Sequence, residues 1–161
     1  GMLKRTHRDR SRETLMVERK HSNAATDADG AEKGPRLYQL RNLNRKTQLA
    51  ARLEVAGSGS ARSKGLLGRK SLEPGEALWI VPCEAVHTFW MQFAIDLVYI
   101  DKQNRVRKVR SNVPPWRLSA CFLAHSVIEL PAGVVLQTET QPGDVLEFVP
   151  VAAHNEDPAG K

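Results

Sequence analysis

Two side chains with proton chemistry stand nine positions apart in this sequence, His87 and Asp96. An imidazole titrates near physiological pH, so His87 is a candidate general base or ligand contact. It opens the run His87-Thr88-Phe89-Trp90-Met91, where Thr88 adds a hydroxyl and Trp90 a flat stacking surface. Asp96 interrupts the apolar run Phe93–Ile100. On a strand it shares a face with Val98 and Ile100, while Ile95, Leu97 and Tyr99 take the other. A carboxylate on an apolar face must be paired or hydrogen-bonded, or it neutralises. Arg62, Lys64, Arg69 and His87 are its candidate partners, so Asp96 reads either as one member of a structural ion pair or as an acid/base partner of His87. Phe89, Trp90 and Met91 also have a plain reading as core fillers.

Other chemistry is thinner. Cys83 and His87 have C-x3-H spacing, but a structural zinc site needs four ligands and no second pair stands nearby. His125 and His154 are too loosely placed to complete one, so no metal and no cofactor is expected. Trp116 follows Pro114-Pro115 and could present its ring on a stiff loop or pin that loop to the core. The sequence holds no glycine-rich phosphate loop, no Gly-x-Ser-x-Gly elbow and no His-Glu-x-x-His motif.

These residues need a body to position them. Of 161 residues, the first 36 carry no aromatic side chain, and residues 37–161 carry all nine. The expected organisation is a polar N-terminal extension over 1–36, one β-rich domain over 37–150, and a tail over 151–161. The formal charge of +6 is unevenly spread: residues 1–36 hold +3, residues 37–70 hold +7 and residues 71–161 hold −4. The middle stripe, with Arg41, Arg45, Lys46, Arg52, Arg62, Lys64, Arg69 and Lys70, could meet an anionic partner, or could be a solvated face. Cys83 and Cys121 are too few for a disulfide framework. No apolar run reaches membrane-helix length and no secretory signal is visible, so the expected location is the cytoplasm.

From Leu37 onward the period is two. Leu37–Arg41 and Gln48–Val55 read as paired strands, the second with Leu49, Ala51, Leu53 and Val55 on one face. Ser58 or Ser60 could cap a short helix over Ala61–Leu67. Ala77–Val81, Ile95–Ile100, Val106–Val109, Ser126–Leu130 and Val145–Val149 read as further strands, and Phe89–Met91 as a short piece or an extended approach to Ile95–Ile100. Val113–Trp116 reads as extended loop, and Val134–Glu139 is ambiguous with a short helix as one reading. Many short strands with frequent turn signals predict an all-β fold, a compact β-sandwich or partly open barrel with one or two short helices.

Four blocks in order, Arg62–Arg69, Val86–Asp101, Val127–Gly133 and Gly143-Asp144, resemble domain-of-unknown-function family 192, small bacterial and archaeal proteins. The resemblance spans about residues 37–150 and implies a compact β-rich, sandwich-like domain. Many members read Phe-Trp-Met-Lys-Asn-Thr at the central block, followed by Pro-Leu-Asp. Here Trp90-Met91 fit, Gln92-Phe93-Ala94 depart and Ile95-Asp96 rejoin. Contacts that relatives make through the Lys-Asn-Thr side chains are therefore not carried over. Many relatives look exported, whereas no signal is visible here. The resemblance implies no activity.

Three functions are consistent with these residues. The first is a binding module for a polar or carbohydrate-like ligand or a protein partner, with a site formed by Arg62, Lys64, Arg69, His87, Thr88, Trp90, Asp96 and Trp116. The second is a hydrolase or isomerase using Asp96 and His87 as acid and base. The third is a nucleic-acid accessory protein binding through the basic residues of 37–70. With no nucleophile–base pair spelled out in the sequence, binding stands ahead of catalysis.

Overall fold

Side chains that alternate apolar and polar fold as sheet, because neighbours along a strand point to opposite faces. The computed structural model describes residues 36–151, so segment 1–35 and residues 152–161, which hold nearly all of the expected extension and tail, lie outside the described residues. In chain order the elements are β1 (Leu37–Asn42), β2 (Thr47–Ala56), α1 (Gly59–Lys64), β3 (Glu76–Ile80), β4 (Ala85–His87) and β5 (Ile95–Ile100). They continue with β6 (Val106–Val113), β7 (Leu118–Ala120), β8 (Ser126–Pro131), α2 (Val134–Gln137) and β9 (Leu146–Pro150). Seven strands form one sheet in the order β6-β5-β8-β3-β2-β1-β9, curled into a half-barrel, and β4 pairs with β7 in a small second sheet. The fold is all-β, and of the two architectures expected it is the partly open barrel. Among the described residues no helix is long and apolar enough to cross a membrane.

The main sheet is covered on both faces. Leu40, Leu49, Leu53, Val98, Ile100, Ile128 and Leu130 pack in one buried cluster, and Leu66, Leu78, Ile80, Met91, Ile95, Leu97, Tyr99 and Val127 in another. The alternation expected for β5 is observed: all six residues are buried, with Val98 and Ile100 in the first cluster and Ile95, Leu97 and Tyr99 in the second. β2 and β3 are parallel neighbours, which requires a crossover, and residues 57–75 provide it with α1 inside. Ser58 caps α1, its Oγ accepting from the Ala61 N–H (3.2 Å). Gly65 ends the helix at φ 47°, and the buried Leu66 then anchors the crossover in the second cluster.

Three local expectations change. The strict alternation expected along β2 breaks, because β1 and β2 shift register between Tyr38 and Leu40 and again before Arg41. Ala50 is buried and Ala51 exposed, and the N–H groups of Ala51 and Arg52 both donate to the Gly75 carbonyl. β6 runs on to Val113, four residues past the expected end. Phe89–Met91 forms no strand; the short sheet is made instead by Ala85–His87 against Leu118–Ala120.

Candidate functional site

Asp96 is completely buried, and its partners are three backbone N–H groups. Asn112 donates to Oδ1 (2.7 Å), while Gly133 (3.1 Å) and Val135 (2.8 Å) donate to Oδ2. Gly133 and Val135 belong to the first turn of α2, whose N–H groups have no partner within the helix, and Gly133 has no side chain to cap them. The carboxylate of a distant strand caps that turn and ties it to the end of β6. None of the cations named from sequence pairs with it. By strand alternation Asp96 faces the first cluster, whereas His87 lines a cavity walled by Leu66, Ile80 and Met91 of the second. The two therefore do not face one another across a site.

Thr88 is also buried, and it joins two loops. Its hydroxyl donates to Pro114 O (2.7 Å) and accepts from the Arg117 N–H (2.9 Å). Its backbone N–H donates to Arg117 O, and its carbonyl accepts from the N–H groups of Met91 and Trp116. This clip sets the two tryptophans that follow. Trp90 and Trp116 both sit at φ 64°, in the left-handed region, and stay 62% and 55% exposed. Bulky residues are uncommon there, and each such conformation costs about 1 kcal/mol or more. Their rings lie 4.4 Å apart between centroids. Phe89 stacks on Trp116 (5.7 Å) and His87 stacks on Phe89 (5.0 Å), so an aromatic ridge runs from the small sheet to the two indoles.

Starting at His87, the end of that ridge, α1 and its C-terminal loop line a cavity of about 270 Å³ against the second cluster. Leu66, Leu67, Ile80 and Met91 supply apolar wall; Arg62, Lys64 and His87 carry the polar groups nearest solvent; Cys83 and Glu129 complete it. Glu129 is the residue that sequence reasoning missed. It lies on β8 with Leu78 and Leu97 opposite it on the neighbouring strands, is only 3% exposed, and its Oε2 has no hydrogen-bond partner. Burial pushes its carboxyl up to about 7, against a smaller opposing pull from Arg69. Among the described residues two other buried atoms also lack partners, the Tyr99 hydroxyl and Ser119 Oγ, but neither residue lines this cavity. Burial likewise pushes the Cys83 thiol up, so it is not primed as a nucleophilic thiolate. Both cysteines are free thiols.

Of the other predicted site residues, Arg62 and Lys64 reach the cavity and Arg69 does not: its Nη2 pairs with Glu54 Oε2 (2.9 Å). The basic stripe is partly neutralised in the same way, since Arg52 also approaches Glu54 and Arg45 pairs with Asp144 (3.2 Å). Burial pushes the Asp144 carboxyl up, but hydrogen bonds from Asn42 and Arg45 outweigh it and hold the group below its ordinary value. Among the described residues no three His, Cys, Asp or Glu side chains are grouped as metal ligands would be.

The family model described as Uncharacterized ACR, COG1430 (DUF192) matches residues 41–148. The chain belongs to the DUF192 family. It is 29% identical over 115 residues to a UPF0127 protein of Pyrococcus abyssi, a match covering 67% of this chain and 95% of that one. Two crystal structures share the fold. One is a protein of Sinorhizobium meliloti presented as a candidate transcription regulator, with a TM-score of 0.62 and 22% identity, covering 70% of this chain and 92% of that chain. The other is a Novosphingobium aromaticivorans protein of unknown function, with a TM-score of 0.62 and 20% identity, covering 77% and 94%.

The blocks that carry the family resemblance meet in space. Arg62–Leu67 of the first block, Val86, His87 and Met91 of the second and Glu129 of the third all border the same cavity. The fourth block supplies the Gly143-Asp144 turn, where Asp144 is held by Asn42 and Arg45 well away in sequence. A signal for Glu129 was present: its alternation with Val127 and Ile128 puts a lone carboxylate among apolar neighbours, the same logic that singled out Asp96.

Proposed function

We propose that the chain is a binding module for a polar, sugar-like ligand that stacks on the Trp90–Trp116 ridge. The observation carrying this reading is that Thr88 holds two indoles exposed, side by side, in left-handed backbone. Two large indoles left mostly exposed in strained backbone bury little apolar surface for the folded state, and strain of this kind gathers at ligand clamps. A flat apolar ring with a polar edge suits a pyranose face, whose C–H groups pack on the indole while its hydroxyls stay hydrated or reach a neighbour. His87 is that neighbour, in line with the ridge through Phe89.

The acid/base reading has less support. Asp96 spends both carboxylate oxygens on backbone N–H groups, and the Cys83 thiol is held toward its neutral form. Titrating the protein with a panel of soluble neutral oligosaccharides, read by tryptophan emission, tests the ridge. A panel member should shift the emission of the parent and of Trp79→Phe, and lose that effect in Trp116→Ala. A flat response across the panel, or an unchanged response in Trp116→Ala, overturns the reading.

A further inference from the structure

Glu129 poses a question that the aromatic ridge leaves unanswered. A buried carboxyl oxygen without a partner is costly, and native interiors satisfy nearly all such groups. No side chain around this one supplies the missing donor. Its cross-strand neighbours Leu78 and Leu97 are apolar, and the guanidinium that pulls on it, Arg69, is engaged by Glu54. The oxygen lies 3.7 Å from where a Cβ on Gly65 would stand, so the glycine leaves room above it.

The cavity has a second polar pole. Arg62 and Lys64 stand on α1, Lys64 exposed and Arg62 half-exposed, while apolar wall from Leu66, Ile80 and Met91 lies with them around the same space. Its complement is a molecule with a hydrogen-bond donor at one point, an anionic group at another, and an alkyl body. A volume of about 270 Å³ limits that molecule to a small metabolite.

We infer that the cavity beneath α1 binds a compact amino or hydroxy acid, its donor on Glu129 and its carboxylate toward Arg62 and Lys64. This site shares His87 with the tryptophan ridge but neither indole, and it stands whether or not a sugar binds there. The amine and the hydroxyl share the chemistry the cavity asks for, and matched probes separate them.

The experiment uses the full chain and four probes of one carbon skeleton, followed by calorimetry at about pH 8, where Glu129 is ionised. L-Leucine and 2-hydroxy-4-methylpentanoate carry both groups, 4-methylpentanoate lacks the donor, and 3-methylbutylamine lacks the carboxylate. At least one of the first two should bind, and each single-group analogue should bind about tenfold or more weaker. Glu129→Gln should reduce binding of the better probe by about tenfold, and Lys64→Ala, at an exposed position that folding does not need, by about threefold. The charged and titratable groups that line the cavity with Glu129 are Arg62 and Lys64 on α1, Cys83 before β4 and His87 on β4, and Arg69 acts on it from outside the cavity. Binding to the parent should therefore strengthen as pH rises through about 7, and Glu129→Gln should flatten that rise even though His87 remains. Equal affinity for all four probes, no binding by either doubly substituted acid, or unchanged affinity in both variants overturns the inference. Trp116→Ala should leave these affinities intact, which separates this site from failure of the ridge.

Discussion

Asp96 and Glu129 are two buried carboxyls on adjacent strands with opposite fates, and hydrogen bonding decides between them. Asp96 accepts three backbone N–H groups, so both its oxygens are satisfied by the fold itself, whereas Glu129 Oε2 has no partner. Replacing it with alanine should destabilise the protein by about 3 kcal/mol or more, because each orphaned N–H costs roughly 1–3 kcal/mol. Urea unfolding of Asp96→Ala checks this, and a loss below about 1 kcal/mol would contradict the capping role. The strained tryptophans allow a cleaner comparison. At φ 64°, glycine suffers no steric penalty and alanine does, so Trp116→Gly should be more stable than Trp116→Ala by about 1 kcal/mol, although glycine is ordinarily the poorer residue. Equal unfolding midpoints would show that the left-handed backbone stores nothing. From sequence, Asp96 was recognisable as a residue needing partners, but which partners were chosen was not. The donors come from residues 112, 133 and 135, and the cations suggested by proximity in the chain are absent.

At the scale of elements, α1 decides where the cavity lies. It exists because a parallel β2–β3 pair cannot be closed by a tight turn, and its crossover must lie over one face of the sheet. Gly65 ends it at φ 47° and ψ −127°, a combination reserved for glycine, with the Glu129 Oε2 close by. Gly65→Ala should therefore lower stability by about 1–2 kcal/mol and weaken binding in the cavity. Thermal unfolding measures the first effect, and an unchanged midpoint would show that the turn relaxes without glycine. The helix cap and the β5–β6 hairpin were legible because a serine before a helix and a polar turn between apolar strands are signals within a few residues. β4 and β7 were not, because each is three residues long and earns its pairing only from a partner more than thirty positions away. The bulges in β2 were hidden for the same reason: a register shift belongs to the pair of strands and leaves no mark on the alternation of one.

For the whole molecule, the charge of Glu129 enters the stability. Its carboxyl holds a proton more tightly when folded, up to about 7, than its ordinary value near 4.5. Below the ordinary value both states are protonated and the group costs nothing. As pH rises toward 7 the unfolded state gives up its proton first, and above that the folded state bears a penalty of about 3 kcal/mol. Glu129→Gln should thus raise stability at about pH 8 and approach the parent at about pH 4.5, as guanidinium unfolding at the two values would show. A gap that does not narrow on acidification would place the carboxyl elsewhere than in the buried cavity. Asp144 works in the opposite sense: its lowered value makes its stabilisation present above the ordinary carboxylate range and lost as pH falls through it. The sequence by itself determined the all-β class, most strand positions, the family and the stretch from His87 to Trp116 as one worth watching. Those follow from periodicity, turn chemistry and motif order, which are written within short windows of chain. Only the tertiary structure decided that Asp96 is a helix cap, that Thr88 is a clip, and that Glu129 meets α1 over a cavity. Those facts depend on residues roughly twenty-five to seventy positions apart being brought together on the two faces of a curled sheet, and only the folded sheet does that.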